Sequence, residues 1–594
     1  MLVCDDKFMQ AYGAVKTELQ QADNLDRKVP IFVSTVDADS VCALRILTSV
    51  LQSEGIHYSV YPVSGWQEVQ ERVKSELLDK EDLTNIFFIN CGGTEDLVEL
   101  LGLNNENHRV LVIDSHRPIH TANAAVDNGQ VMVLMDGKDE APPDDLGEDL
   151  SSDSDSSDEE SDEEEGDENE PPRQQQRTAE SDATARAAKQ REKRRMREDR
   201  QRRRIQYYDR GAWRGTPAAC ITYELTRQLQ KEDNRALWLS IMGVTDQLVH
   251  QLINGQEYEK LYHLMEQQVN ALGNGDMKDS VDIEDGGTVR IPLNRRIGPL
   301  QDYRFTLLKH WTLHDSMLYS PYVATRLQTW REKGRRNLEL LLAKMGCSLV
   351  QCRQHYGHMK HSIKDSLSSK LENYAPTYNL PDLQFSSFQM EMGYKRAFSA
   401  SDAVYGVTAL LEAHALEEEG SKESFWKAYG ALGDNAMAEL YKGIELAKKV
   451  QRTIIDDGGS VMARRAVLSM SAFRVVNLSD GEVSDRALLS QPLALLRLAM
   501  FIQDAYRVMQ NKVKPVIVVA PEGQDHMCLV VGYTGRPKLA DVNGNRFGNA
   551  FAHAQEATKC DMSADYFDQY TVKVAKSDIY RFIAAVDNGH HMKD

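Results

Sequence analysis

The sequence contains no apolar run near the roughly 18–20 residues that a helix needs to cross a bilayer. Its start, Met1-Leu2-Val3-Cys4-Asp5-Asp6, lacks the basic stretch and apolar core of a secretion signal. Cysteine is sparse: Cys4, Cys42, Cys91, Cys220, Cys347, Cys352, Cys528 and Cys560 are spread over 594 residues with no Cys-x-x-Cys pair. That usage suits free thiols in a reducing compartment and excludes a disulfide framework. Self-similarity at the periods of repeat proteins is absent too. A soluble, intracellular protein with no membrane partner is therefore expected. What the chain has is length and acid. Its 594 residues correspond to three or four domains. The formal net charge is −20, and residues 139–170 hold 18 Asp or Glu and no Lys or Arg, which leaves −2 for the rest.

The pattern predicts an α/β fold in five stretches. Residues 1–135 alternate strands and helices. The runs at 29–36 (VPIFVSTV), 57–63, 85–90 (NIFFIN), 110–114 (VLVID) and 130–135 read as strands. Val41, Leu44, Leu47 and Leu51 recur at helical spacing until Gly55, and Trp66, Val69, Val73 and Leu77 line a second helix. Such alternation implies right-handed crossovers and a parallel sheet. Residues 136–204 form an insert, acidic to about 172 and then basic over 173–204 with 13 Lys/Arg against 5 Asp/Glu, and disorder is expected for its acidic part. Residues 205–255 return to helices at about 216–231 and 235–252 and complete the first domain. Residues 256–395 read as mainly helical around a polar loop near 272–288. Residues 396–594 read as a second α/β unit, with helices at about 401–416, 434–452 and 490–510 and strands at 515–520 and 527–533.

Polar residues stand where an open α/β sheet places its ligands, at the strand ends. They are Asp37-Ala38-Asp39, then Asn90-Cys91-Gly92-Gly93, then Asp114-Ser115-His116, and further on Gly243-Val244-Thr245-Asp246. Converging carboxylates and imidazoles are what a two-metal phosphoesterase requires, with metals about 3.5–4 Å apart.

This motif order resembles the DHH phosphoesterase superfamily, which includes the RecJ exonucleases. Asp37 and Asp39 match the first motif's ligand pair, Asn90 stands at a metal-binding Asp, Ser115 at a His of Asp-His-His, and Asp246 matches the fourth motif. Asn supplies no negative charge, and a Ser hydroxyl is a weak, protonated ligand at pH 7. Residues 546–551 (RFGNAF) lack the glycine run and His of an active DHHA1 substrate loop. The segments VSGWQE (63–68), INCGG (89–93), DSHRP (114–118), GVTDQ (243–247), HWTLHDS (310–316) and SASDAVYG (399–406), with the insert, resemble the cell division control protein 45 family, eukaryotic relatives of RecJ. That resemblance implies a DHH-type parallel-sheet domain, a helical middle module that binds partners and a C-terminal DHHA1-like domain. It further implies no catalytic residues, no cofactor and no metal. Asp37, Asp39, Asn90, Asp114, Ser115, His116 and Asp246 would be a vestigial pocket whose carboxylates pair with neighbours such as Arg117 or His116. The implied role is a non-enzymatic DNA replication initiation and elongation factor in the nucleus, on chromatin. It would be a scaffold joining the MCM helicase ring and GINS complex beside other replication-fork proteins, with single-stranded DNA as a candidate contact. The alternative is an active metal-dependent DHH exonuclease or phosphoesterase, which a carboxylate at 90 and an imidazole at 115 would have favoured.

Two further features have simpler readings. Cys347, Cys352, His355 and His358 follow a C-x4-C-x2-H-x2-H spacing that no standard zinc finger uses, so a polar helix surface is expected there. Lys193-Arg194-Arg195 is a nuclear import candidate, while the basic segment around it also offsets its acidic neighbour.

Overall fold

The computed structural model describes residues 1–21, 28–76, 84–103, 108–125, 128–143, 191, 194–273, 281–282, 288–289, 296–391, 397–417, 420–433, 436–479, 484–511, 513–521, 526–537 and 544–589. Its first sheet is built from β1 (Leu2–Cys4), β2 (Val29–Ser34), β3 (Tyr58–Val63), β4 (Thr84–Ile89), β5 (His108–Ile113) and β7 (Val131–Met135). The order is β1-β7-β5-β4-β2-β3, and every pairing is parallel. Two short strands, β6 (His116–Arg117) and β8 (Trp213–Arg214), pair antiparallel as a separate two-stranded sheet that follows the interior strand β5. All six residues of β2 are buried, as a central strand covered on both faces requires. One face packs against helices Ala38–Ser53, Ala218–Gln228 and Asn234–Val249, whose apolar stripes share a core with it. The other face is covered by Trp66, Val69, Val73, Leu97 and Leu101, joined by Phe567 from the C-terminal part of the chain.

The middle of the chain differs from the pattern in one respect. Helices such as Glu332–Lys344 form a separate small core around Leu313, Leu338, Leu342 and Leu371. Beside them lies a three-stranded antiparallel sheet of Ile297–Tyr303, Gln384–Glu391 and Ala397–Ser399. Gly298 and Pro299 hide the first of these strands, which lies at the sheet's edge where a missing N–H is tolerated.

The C-terminal sheet is mixed, in the order Val467–Ser469, Arg474–Asn477, Val516–Pro521, Met527–Tyr533, Thr571–Ala575, Met562–Ser563. Its helix Met437–Arg464 runs past 452, where the pattern ends it. Its continuation includes Gly458-Gly459, where the helix meets its neighbours closely. A Cβ at 458 would lie 2.5 Å from the Phe501 ring, and one at 459 would lie 2.8 Å from Trp330 Cβ. Among the described residues no helix is long and apolar enough to cross a membrane.

The insert also divides differently from its composition. Residues 136–143 are placed: Asp139 accepts from Arg117 Nη2 at 2.9 Å and from Thr216 N at 2.9 Å, and Glu140 pairs with Arg210. Residues 194–209 are helical. Residues 144–190, with most of the acidic tract, lie outside the described residues.

Candidate functional site

The seven strand-end and helix residues singled out in the sequence converge, and hydrogen bonds join six of them. Asp37 caps helix Ala38–Ser53, accepting from Ser40 N at 2.6 Å and Ser40 Oγ at 2.5 Å. Within the first turn, Asp39 is buried and meets the start of helix Ala218–Gln228, where N–H groups have no partner within their own helix. Its Oδ2 accepts from Ala218 N at 2.8 Å and its Oδ1 from Ala219 N at 2.9 Å. Helix Asn234–Val249 crosses close by at Gly243, where a Cβ would collide with Asp39 Oδ1 and lie 2.9 Å from Ala219 Cβ.

Asn90 follows β4 in the left-handed region (φ 49°), which Asn tolerates better than most residues. Its amide works in both directions. The Nδ2 donates to Asp39 Oδ2 at 2.9 Å and Asp37 Oδ1 at 3.3 Å, while Oδ1 accepts from Ser115 N at 2.9 Å and Ser115 Oγ at 3.0 Å. One neutral side chain thus ties the first motif to the third. An Asp here would turn those two donor bonds into carboxylate repulsion.

Asp114 accepts from Gly93 N at 2.8 Å through Oδ2 and, through Oδ1, from His116 N at 2.8 Å and Nδ1 at 2.7 Å. The other ring nitrogen of His116 faces Asp568 Oδ1 at 3.4 Å. Burial and the Arg214 charge push the imidazole toward neutrality, but Asp114 and Asp568 outweigh them and lift its pKa to about 9. The two carboxylates thus favour the imidazolium form of this buried ring. Arg214 lies 2.8 Å from Asp568 Oδ1, with its other nitrogen 3.5 Å from Ser115 Oγ. Against the cost of burial, this guanidinium holds the Asp568 carboxyl well below the carboxylate range. Asp246 is buried beside the network, its Oδ1 3.0 Å from His250 Nδ1. Burial first, and then the Asp246 charge, raise the Asp37 carboxyl. Burial and Asp37 raise Asp39 to about 7, against the hydrogen bond from Asn90.

Arg214 and Asp568 carry no motif and stand 354 residues apart, so sequence reading missed both. Arg117 does not pair with the pocket carboxylates. It donates to the backbone oxygens of Asp114 (2.8 Å) and His116 (2.9 Å) and pairs with Asp139. Arg214 takes the electrostatic role instead. A cavity of about 330 Å³ opens beside the network, lined by His116, Trp213, Arg214, Tyr533 and Asp568 among others.

The DHH resemblance raises the question of metals. Binding would need deprotonated ligands with free lone pairs facing one void. Here both His116 nitrogens face carboxylates, Asp39 already accepts from three donors, Asn90 aims an NH2 at the carboxylates, and Arg214 supplies positive charge. The donor set does not fit a two-metal centre. Among the described residues no group of three or more His, Cys, Asp or Glu is arranged to hold a metal ion.

The remaining candidates lie elsewhere. Cys347 and Cys352 are buried in the core of the middle module. His355 caps a 3-10 turn, Tyr356–His358, rather than lying on a helix. Arg194 and Arg195 are exposed, Arg194 pairing with Glu198 at 3.1 Å, and Lys193 lies outside the described residues.

A family model described as CDC45 matches residues 29–589. The cell division control protein 45 homolog of Schizosaccharomyces pombe is 31% identical over 94% of this chain and 95% of its own length. The Homo sapiens homolog is 29% identical over 94% and 96%. The crystal structure of CDC45 from Entamoeba histolytica superposes with a TM-score of 0.69 at 20% identity, covering 99% of each chain.

Proposed function

The chain belongs to the CDC45 family, and from that premise we propose that it is a non-enzymatic subunit of the replicative helicase. Membership makes it a DNA replication factor. In the finer reading it joins the MCM ring to the GINS complex at initiation and during elongation. Its compartment is then the nucleus, with Lys193, Arg194 and Arg195 as import signal. One observation carries the non-enzymatic part. At the first three motifs the positions at which a DHH enzyme would ligate metals are engaged in internal bonds, with Asn90 bridging Asp39 to Ser115 and His116 held between Asp114 and Asp568.

A phosphoesterase gains its rate from metals that lower the pKa of water and neutralise developing charge. This pocket spends its charges holding the first sheet to the C-terminal part of the chain through Arg214, His116 and Asp568. Such a joint suits a rigid platform. The neighbouring cavity, with Trp213 and the Arg210–Trp213 stack at 5.9 Å, supports a contact with single-stranded DNA. The test is purification of the native complex from replicating cells through a tag on this chain. Stoichiometric MCM and GINS subunits are expected, and their absence defeats the scaffold reading.

A further inference from the structure

Among the described residues, the helix at 194–209 is held to the body at its C-terminal end. Tyr207 is buried there, its hydroxyl accepting from Ile119 N at 3.2 Å and its ring meeting Trp213 edge-on at 5.2 Å. Tyr208 Oη donates to Ile119 O at 2.9 Å. Ahead of that anchor, residues 194–203 are all exposed, so this stretch draws no stability from a core. Residues 194–206 hold seven arginines, from Arg194 to Arg204, against Glu198 and Asp199, which leaves +5. At about 3.6 residues per turn, Arg194, Arg202, Arg203 and Arg200 project roughly a quarter-turn apart, so the charge surrounds the helix. Met196 and Ile205, its large apolar side chains, are both exposed and fall on opposite sides.

That pattern excludes several occupants. Without an apolar stripe, the helix cannot seat in a hydrophobic groove or pair as a coiled coil. Without an aromatic residue in 194–206, it offers unpaired bases nothing to stack on. What fits is a dense array of negative charge that faces a helix from several sides. The major groove of B-form DNA, about 12 Å wide, admits a helix about 10–12 Å across and has phosphates along both walls. The deep, narrow major groove of duplex RNA does not admit it. The chain's own acidic residues are the nearest competitor. Residues 144–170 hold 16 Asp or Glu, one charge per about 6 Å at full extension. Duplex DNA carries one per about 1.7 Å of axis, so it is the stronger ligand for the arginines.

We propose that the helical segment 194–206 binds duplex DNA in the major groove, through phosphates and without sequence preference. The assignment depends neither on the helicase reading nor on the cavity beside Trp213. The test is fluorescence anisotropy over a salt series, with the full chain and a short labelled DNA duplex of mixed sequence. A duplex RNA of the same sequence, oligothymidylate and a polyglutamate peptide serve as comparisons. Arg200→Gln, Arg202→Gln and Arg203→Gln are combined in one variant. These side chains are exposed, Gln keeps the helix propensity, and Lys193-Arg194-Arg195 stays intact. Duplex DNA should bind most tightly, with an affinity that falls steeply as salt rises. The variant should bind it at least about tenfold more weakly, with a log–log salt slope shallower by about 2–3 and an unchanged melting temperature. Unchanged affinity and slope in the variant would overturn the proposal. Equal binding of duplex RNA would refute groove entry, and polyglutamate bound as tightly as the duplex would mark an acidic-protein surface instead. Oligothymidylate bound more tightly than the duplex, and equally by the variant, would refute it in favour of the cavity.

Discussion

Asn90→Asp places at position 90 the carboxylate that the DHH resemblance implies for an active site. The account predicts that it damages this protein in a pH-dependent way. Asn90 Nδ2 lies 2.9 Å from Asp39 Oδ2 and 3.3 Å from Asp37 Oδ1. Unit charges at the shorter distance repel by about 6 kcal/mol at an effective dielectric constant of about 20. Proton uptake and relaxation reduce that figure. The cost at pH 8 is then about 3–5 kcal/mol, the range for breaking a buried charge network. At pH 5 the new carboxyl keeps its proton, donates to Asp39 and brings the cost to about 1 kcal/mol. Both residue types tolerate the left-handed backbone at position 90, so strain does not blur the comparison. Urea unfolding at the two pH values, followed through tryptophan fluorescence, measures the difference. A variant as stable as wild type at pH 8, or more damaged at pH 5, refutes the bridging role.

Other outcomes follow from the same geometry. Arg214→Met leaves the half-buried Asp568 with His116 as its remaining cationic neighbour and should cost about 2–3 kcal/mol, while Arg214→Met with Asp568→Leu should cost less than the two singles combined in a double-mutant cycle. The His116 pKa is raised from 6.5 to about 9, so its contribution is whole below pH 6.5 and lost as pH rises through about 9. Stability measured from pH 6 to 10 should fall, and His116→Gln should flatten that fall. Gly243→Ala should destabilise by about 2 kcal/mol or more through its collision with Asp39, whereas Gly430→Ala, on helix Ser421–Ala431 with open space around it, should stabilise by about 0.5–1 kcal/mol in thermal unfolding.

The first domain was readable because its strands are continuous apolar runs and its motifs sit at their ends, so β2, β4 and β5 stood out and the polar clusters followed. Strand Arg474–Asn477, four residues long, and the edge strand containing Gly298 and Pro299 carry no comparable signal. Helix Met437–Arg464 extends through Gly458-Gly459, and only the tertiary neighbours Phe501 and Trp330 explain why glycine is needed there. At the site, motif spacing identified the carboxylates and the two departures at Asn90 and Ser115. It could not identify what replaces a metal's charge, since Arg214 and Asp568 reach the pocket through tertiary contacts. Asp139 shows the same limit: by composition it belongs to the acidic insert, and by geometry it is the partner of Arg117.

The central claim is that protein groups occupy the bonding capacity a DHH enzyme gives to metals. Titrating the purified chain with manganese by calorimetry, and assaying the same sample on single-stranded DNA, tests it directly. The account predicts no stoichiometric uptake and intact DNA. Uptake of two ions per chain, with hydrolysis that disappears in Asp37→Ala, Asp39→Ala, would contradict it.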